Sequence, residues 1–212
     1  MNDTVASLRQ EYGIREMTLD GMSSDPIEQF REWFQDCRRA KIVEPNAMTL
    51  STVGPGGRPS SRMVLLKGFD ERGFTFFTNY ESRKGRELDA NPQASLVFCW
   101  QTLERQIRIE GNTERLGEQV AEEYFQSRPR ETQLGARASP QSEPLESRQE
   151  LEDRYRLFSE RYPHGVPRPE HWGGYLLRPD RVEFWQGRSG RLHDRILYRR
   201  AGDVWETVRL AP

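Results

Sequence analysis

Val182-Glu183-Phe184-Trp185-Gln186-Gly187-Arg188-Ser189-Gly190-Arg191-Leu192-His193-Asp194-Arg195 opens as a run rich in β-branched and aromatic residues, and it breaks at a short polar turn with glycine at both ends. It then resumes as a second run that continues to Tyr198. That pattern predicts a hairpin: residues 182–186 and 191–198 are antiparallel strands, and 187–190 is the turn. Alternate side chains of a strand face opposite ways, so Arg191, His193 and Arg195 are expected on one face. Such a row suits an edge strand that blocks aggregation by charge. It suits equally a pleated surface whose mutual repulsion is relieved by an anionic or electron-rich partner lying across it.

The same period runs outward in both directions. Residues 174–177 and 204–210 read as further strands, so the chain closes as a meander. Toward the N-terminus, 48–53, 61–69, 74–78, 94–100 and 106–110 are predicted strands. Gly54-Pro55-Gly56-Gly57-Arg58-Pro59 and Asp70-Glu71-Arg72-Gly73 supply turns between them. The glycines at 54, 56 and 57 lack the Gly-x-Gly-x-x-Gly order and lead into a strand, which excludes a dinucleotide loop. Asp25-Pro26 fits a cap followed by proline at the first helical position. Ile27, Phe30, Phe34 and Cys37, with Trp33 beside them, continue it as an amphipathic helix ending before Pro45. A short helix after Ser82 and helices over 117–126 and 151–162 follow, with 133–148 as a loop. Residues 1–24 are polar and weakly patterned, an arm expected to be mobile or simply a frayed terminus. Short strands in succession with tight turns predict a closed antiparallel barrel with helices packed outside.

Composition narrows the function classes. The 212 residues are enough for one domain with a real core. A formal net charge of -1 and a pI of about 6.4 argue against a nucleic-acid binder or a polybasic membrane anchor. Charged residues make up 31% of the chain and hydrophobic ones 34%, with a mean hydropathy of -0.89. The polar surplus must lie on a large surface, in a charged cleft or in a wet subunit interface. Cys37 and Cys99 have no metal-ligand spacing, and no run reaches the roughly 18 apolar residues of a membrane span, so a cytoplasmic enzyme is expected.

Two segments carry anion chemistry. In Ser82-Arg83-Lys84-Gly85-Arg86-Glu87-Leu88, Ser82 reads as an N-cap, which puts Arg83 and Lys84 in the first helical turn. The helix dipole disfavours cations there. Free backbone N–H groups with two cations would form a phosphate site, whereas a solvated basic turn accounts for the same residues. Tyr124 and Arg128 fall four apart on one helical face, with Thr132 just beyond. They suit a second anion site or an ordinary surface stack. Arg62 and Lys67 bracket an apolar run; Arg62, Val64 and Leu66 are expected on one strand face, with Met63, Leu65 and Lys67 on the other. His164 and His171 lie in or beside a proline-rich loop and read as structural.

Residues 183–195 resemble the C-terminal motif of the pyridoxine/pyridoxamine 5′-phosphate oxidase family, and Arg209-Leu210-Ala211-Pro212 is similar to that family's usual ending. The resemblance extends from about Leu8 to Pro212. It implies a mainly β, antiparallel split barrel with flanking helices, a homodimer binding flavin mononucleotide (FMN) at the subunit interface. Residues 25–212 would form a single domain, with 170–212 as the region for dimerisation and substrate. By resemblance, Arg62-Met63-Val64-Leu65-Leu66-Lys67, Phe77, Thr78, Arg83, Lys84, Gln106, Gln141, Ser142, Trp185 and Arg195 contact the flavin. Phe77 stands where tyrosine is expected, so the ring is kept and the hydroxyl lost. Lys67, Tyr124, Arg128 and Thr132 would hold the substrate phosphate, Thr132 standing where serine is common. Arg9 and Tyr12 would fold over the site, while Arg191, Leu192 and His193 lie against the substrate ring, Arg191 and His193 as the catalytic pair. The implied reaction is oxidation of pyridoxamine 5′-phosphate and pyridoxine 5′-phosphate to pyridoxal 5′-phosphate. Hydride leaves carbon 4′ for flavin N5, oxygen is reduced to hydrogen peroxide, and the amine substrate also releases ammonia. No metal is required. Another FMN reductase on the same barrel, or a flavin or pyridoxal-phosphate carrier without turnover, remains open.

Overall fold

The computed structural model describes residues 11–212. In chain order the elements are α1 (Pro26–Arg39), β1 (Ala47–Val53), β2 (Pro59–Leu65), β3 (Gly68–Asp70), β4 (Gly73–Asn79), α2 (Arg83–Ala90), β5 (Gln93–Trp100), β6 (Arg105–Arg115), α3 (Glu118–Ser127), α4 (Arg130–Ala138), α5 (Arg148–Arg161), β7 (Trp172–Gln186), β8 (Asp194–Ala201) and β9 (Val204–Leu210). The strands join in one nine-stranded sheet, in the order β2-β1-β5-β6-β7-β4-β3. β8 pairs with both β7 and β9. Pairings β3–β4, β4–β7, β7–β8 and β8–β9 are antiparallel. No helix among the described residues is long and apolar enough to cross a membrane.

The chain forms two compact units. Among the described residues, the first comprises 11–49, 95–110 and 179–212, and the second 50–94 and 111–178. In the first, α1 forms where the sequence places it: Asp25 Oδ1 accepts from the Ile27 N–H at 2.7 Å, and Pro26 opens the helix. Its apolar stripe of Ile27, Phe30, Trp33 and Cys37 is buried. Phe30 meets Phe98 edge-on at 5.1 Å, and Trp33 meets Phe184 at 5.1 Å. Arg105, also buried, lies 4.1 Å over the Trp33 ring and is neutralised by Asp36 at 2.7 Å. In the second unit, Phe74, Phe76, Tyr175 and Leu177 are buried along the β4–β7 ladder, with Phe125, Leu134, Val166 and Trp172 forming a separate apolar cluster.

Four sequence expectations need correction. Residues 61–69 are not one strand, since β2 ends at Leu65 and β3 begins at Gly68. Residues 174–177 and 182–186 belong to a single strand, β7, whose residues 172–177 pair with β4 and 181–186 with β8. Residues 133–148 are not all loop. α4 covers the first part because Leu134 and Ala138, one turn apart, are buried, and the Gln133 amide donates to the Phe125 carbonyl at 2.9 Å. Finally, the hairpin after Gln186 is real but its turn is longer. β8 starts only at Asp194, paired with Gln186, and Arg191 lies in a 3₁₀ turn with φ of +61°. Arg191, His193 and Arg195 therefore do not share a strand face. The segment closes on itself instead: Leu192 N–H donates to the Ser189 carbonyl, and Arg188 N–H donates to His193 Nδ1 at 3.1 Å.

Candidate functional site

The second unit holds a cavity of about 640 Å³, within the range of small-ligand pockets. Met63, Val64, Leu65 and Lys67 line it from β2 and the residues just after, Phe77 and Thr78 from β4, and Lys84 from α2. Tyr124, Arg128 and Thr132 come from α3, the α3–α4 turn and α4, and Gln141 from the loop beyond. Residues far apart in sequence and singled out for phosphate or flavin chemistry thus share one space.

Lys84 is placed by short-range rules. Ser82 caps α2, its Oγ accepting from the Gly85 N–H. Gly85 permits the tight approach of this first turn to the chain before it, since a Cβ there would collide with the Tyr80 carbonyl oxygen. The Lys84 ammonium, on a residue only 8% exposed, donates to Thr78 Oγ1 (2.8 Å), Ser82 Oγ (2.9 Å) and Gln141 Oε1 (2.7 Å). All three acceptors are neutral. Burial, with a smaller contribution from the Arg62 charge, pushes its pKa down from 10.5 to about 8. A buried ammonium held only by neutral dipoles is costly unless an anion joins it.

Arg128 has the same character. Its guanidinium lies 4.6 Å from the Trp172 ring centroid, and one terminal nitrogen donates to the Thr132 carbonyl at 2.9 Å. The other, Nη1, is buried with no hydrogen-bond partner among the described residues. Burial depresses its pKa. Phe77, Tyr124 and Trp172 stack nearly parallel alongside, with Phe77 and Tyr124 centroids 3.9 Å apart. Lys67 is exposed at the cavity, and no ion pair engages it among the described residues. The donor set therefore fits phosphate-bearing ligands, FMN included: separate cations, a buried unpaired guanidinium N–H and flat aromatic walls.

Arg62, Leu66, Arg83 and Ser142 do not line this cavity. Leu66 is buried and Ser142 is exposed with φ of +76°. Arg62 and Arg83 converge instead on Glu87, a carboxylate to which the sequence pattern assigns no role. Thr52, Ser60, Asn79 and Trp172 were also not singled out. The aromatic residue of Trp172-Gly173-Gly174 beside a strand start is the one local hint of the last.

The remaining expected residues lie in the first unit. Trp185 and His193 approach to 4.6 Å, and Tyr12 packs against both, at 5.9 and 5.7 Å. Because Nδ1 of His193 accepts from a backbone N–H, the neutral ring carries its proton on Nε2. Arg195 donates to buried Glu183 at 2.8 Å and to the Ala211 carbonyl. Gln106 is half-buried on β6. Arg191 and Leu192 are exposed, and no ion pair engages Arg191 among the described residues. Arg9 lies outside the described residues. Of the expected arm, residues 11–24 make defined contacts: the Gly13 and Ile14 N–H groups donate to the Glu104 carboxylate, and the Met17 N–H donates to Asp194.

An antiparallel sheet in this order, with helices packed on it, defines a protein of the split-barrel class. The family model described as pyridoxamine 5′-phosphate oxidase matches residues 28–161, and the model described as the pyridoxine 5′-phosphate oxidase C-terminal dimerisation region matches residues 172–212. The pyridoxine/pyridoxamine 5′-phosphate oxidase of Rubrobacter xylanophilus is 56% identical over 98% of this chain and 96% of its own. That of Burkholderia lata is 53% identical over 99% of each. PhzG from Burkholderia lata 383, solved in complex with tetrahydrophenazine-1-carboxylic acid, superposes with a TM-score of 0.90 at 33% identity, over 96% of this chain and 100% of its own. The chain belongs to the pyridoxamine 5′-phosphate oxidase family.

Proposed function

We propose that the protein is an FMN-dependent oxidase of pyridoxamine 5′-phosphate and pyridoxine 5′-phosphate, yielding pyridoxal 5′-phosphate with oxygen as acceptor and working as a cytoplasmic homodimer. The observation that carries this reading is the charge of one cavity: Lys84, Lys67 and Arg128 face it without a carboxylate partner among the described residues. Two phosphorylated molecules, cofactor and substrate, would supply the missing anions. Lys84, with Thr78 and Gln141, would hold the FMN phosphate; Lys67, Tyr124, Arg128 and Thr132 would hold that of the substrate. Met63, Val64 and Leu65 would bound the flavin, and the family resemblance assigns flavin contacts to Arg195 and Trp185 as well.

FMN, when bound, supplies the two-electron acceptor that no side chain offers. The protein binds and orients. Arg191 and His193 would fix the substrate's reacting carbon, and the Nε2–H of His193 is available to donate a hydrogen bond while its Nδ1 is engaged. The match of residues 172–212 to a dimerisation region supports a homodimer, at whose interface the flavin would lie, and the free thiols Cys37 and Cys99 suit a reducing compartment.

The relatives favour the vitamin B6 substrates over the tricyclic acid carried by PhzG. Identity is 51–56% to the oxidases given above and their kin, against 33% to PhzG. The visible absorption spectrum before and after anaerobic pyridoxamine 5′-phosphate, with peroxide release in air, tests the proposal. A flavin spectrum bleached by substrate, with peroxide formed in air, supports it. A flavin that resists this substrate but is reduced by a nicotinamide cofactor indicates a reductase. Binding without turnover indicates a carrier, and a colourless protein that rejects added FMN refutes the flavin reading.

A further inference from the structure

Glu87, on α2, collects more hydrogen bonds than a surface glutamate needs. The residue is 6% exposed. Its Oε2 accepts from Thr52 Oγ1 (2.5 Å), Ser60 Oγ (2.6 Å) and Arg62 Nη2 (3.3 Å), and its Oε1 accepts from Arg83 Nε at 2.9 Å. Arg62 is bound further by the same group: one terminal nitrogen reaches Thr52 Oγ1 and the Leu50 carbonyl, the other Ser60 Oγ. Burial alone would raise the Glu87 pKa, but the bonds from Ser60, Thr52 and Arg83 outweigh it and hold the carboxyl at about 2. Glu87 is therefore an anion throughout the physiological range.

The network brackets Lys84. Arg83 and Lys84 are adjacent on the first turn of α2, and Arg62 is close enough to depress the Lys84 pKa. Arg83 is held only through Nε among the described residues, and its side chain is 55% exposed, which leaves both terminal nitrogens available to a ligand. Without Glu87, the Arg62 and Arg83 guanidinium groups would lose the carboxylate that holds both, and the flexible Arg83 would sample many rotamers before meeting an anion. A buried carboxylate that organises cations costs some attraction toward an incoming phosphate. It repays this through preorganisation when the donors it fixes are the ones that bind.

We propose that Glu87 is a positioning residue: it fixes Arg62 and Arg83, which flank the Lys84 of the cavity without lining it, and so makes the surroundings of Lys84 select a phosphorylated flavin over its unphosphorylated form. The inference rests on the FMN reading above. Glu87 touches neither ligand; it acts through the two arginines. Gln at this position keeps the shape but replaces one acceptor oxygen by a donor, so at least one of the four donors must be released.

The test measures dissociation constants of FMN and riboflavin, by quenching of flavin fluorescence, for the full-length apoprotein and for Glu87→Gln. The expected result is an FMN-to-riboflavin preference lowered at least about tenfold, the size of one charge-assisted hydrogen bond, with riboflavin affinity within about twofold of wild type. A purely structural role would weaken both flavins together. A preference unchanged or increased in Glu87→Gln overturns the proposal, the increase showing that the carboxylate merely dilutes positive charge. If Glu87→Gln does not fold, Thr52→Val, which removes a donor to Oε2 and an acceptor for Arg62, is read by the same ratio. Wild-type protein that binds neither flavin would instead refute the FMN reading itself.

Discussion

Replacing Lys84 by methionine should change stability and ligand affinity in a way that exposes the buried charge. In the ligand-free protein, burial lowers the Lys84 pKa from 10.5 to about 8, a difference of ~3 kcal/mol between the protonated and neutral forms. Between those two values the unfolded chain holds more protons than the folded one, so this residue makes stability rise with pH across that window. Below about pH 8 the charged amine is present in both states, and its burial penalty is carried in full. Urea unfolding of the apoprotein and of Lys84→Met from pH 7 to 10.5 measures this directly. Subtracting the variant cancels the tyrosines and Cys37, whose burial also raises their pKa values.

The wild-type minus variant difference should climb by ~3 kcal/mol over that interval. Saturating FMN should flatten the climb, because a bound phosphate restores the ammonium's pKa. Lys84→Met should also bind FMN roughly 10- to 150-fold more weakly, the loss of one charge-assisted hydrogen bond. A flat difference from pH 7 to 10.5 in the apoprotein would refute the reasoning, since the ammonium would then be neutralised or solvated by something the cavity geometry does not reveal.

Arg191→Leu should lower turnover by orders of magnitude with flavin retained, as measured by stopped-flow reduction of the bound cofactor; unchanged kinetics would remove Arg191 from the mechanism. Arg128→Ala should raise KM for pyridoxamine 5′-phosphate by roughly 10- to 150-fold with little change in kcat, because it removes the guanidinium whose Nη1 is buried without a partner among the described residues. Equal loss in kcat would assign it a role in the transition state instead. Gly85→Ala should lower the melting temperature and abolish tight flavin binding together, since the added Cβ collides with the Tyr80 backbone and must move the turn that carries Lys84. A loss of about 1–3 kcal/mol or more is expected by chemical unfolding, and a variant as stable as wild type would show that the turn has room to shift.

Much of the fold was legible because its signals are local. Asp25-Pro26 before an apolar stripe set the start of α1, and Ser82 set the start of α2. Where a tertiary partner decided, local signals failed. α4 looked like loop because its apolar positions are few, and it became helix because Leu134 and Ala138 found a core to enter. The turn after Gln186 looked like four residues, and it grew because the Arg188 N–H found His193 Nδ1 in place of a ladder partner. Glu87 was invisible for a related reason: four residues after Arg83 on a helix, it has the spacing of an exposed ion pair, and nothing near it in sequence announces Thr52 and Ser60.

The amino-acid sequence by itself determined the strand and helix types, the cations that carry anion chemistry and the family, because caps, periodicity and a long motif of rare residues are properties of neighbouring positions. Only the tertiary structure decided which cations share a cavity and which are paired with a carboxylate. Lys84 meets Gln141 across 57 positions, and Arg62 meets Glu87 across 25. Whether a charge has a counter-ion depends on long-range chain closure, which no local pattern encodes.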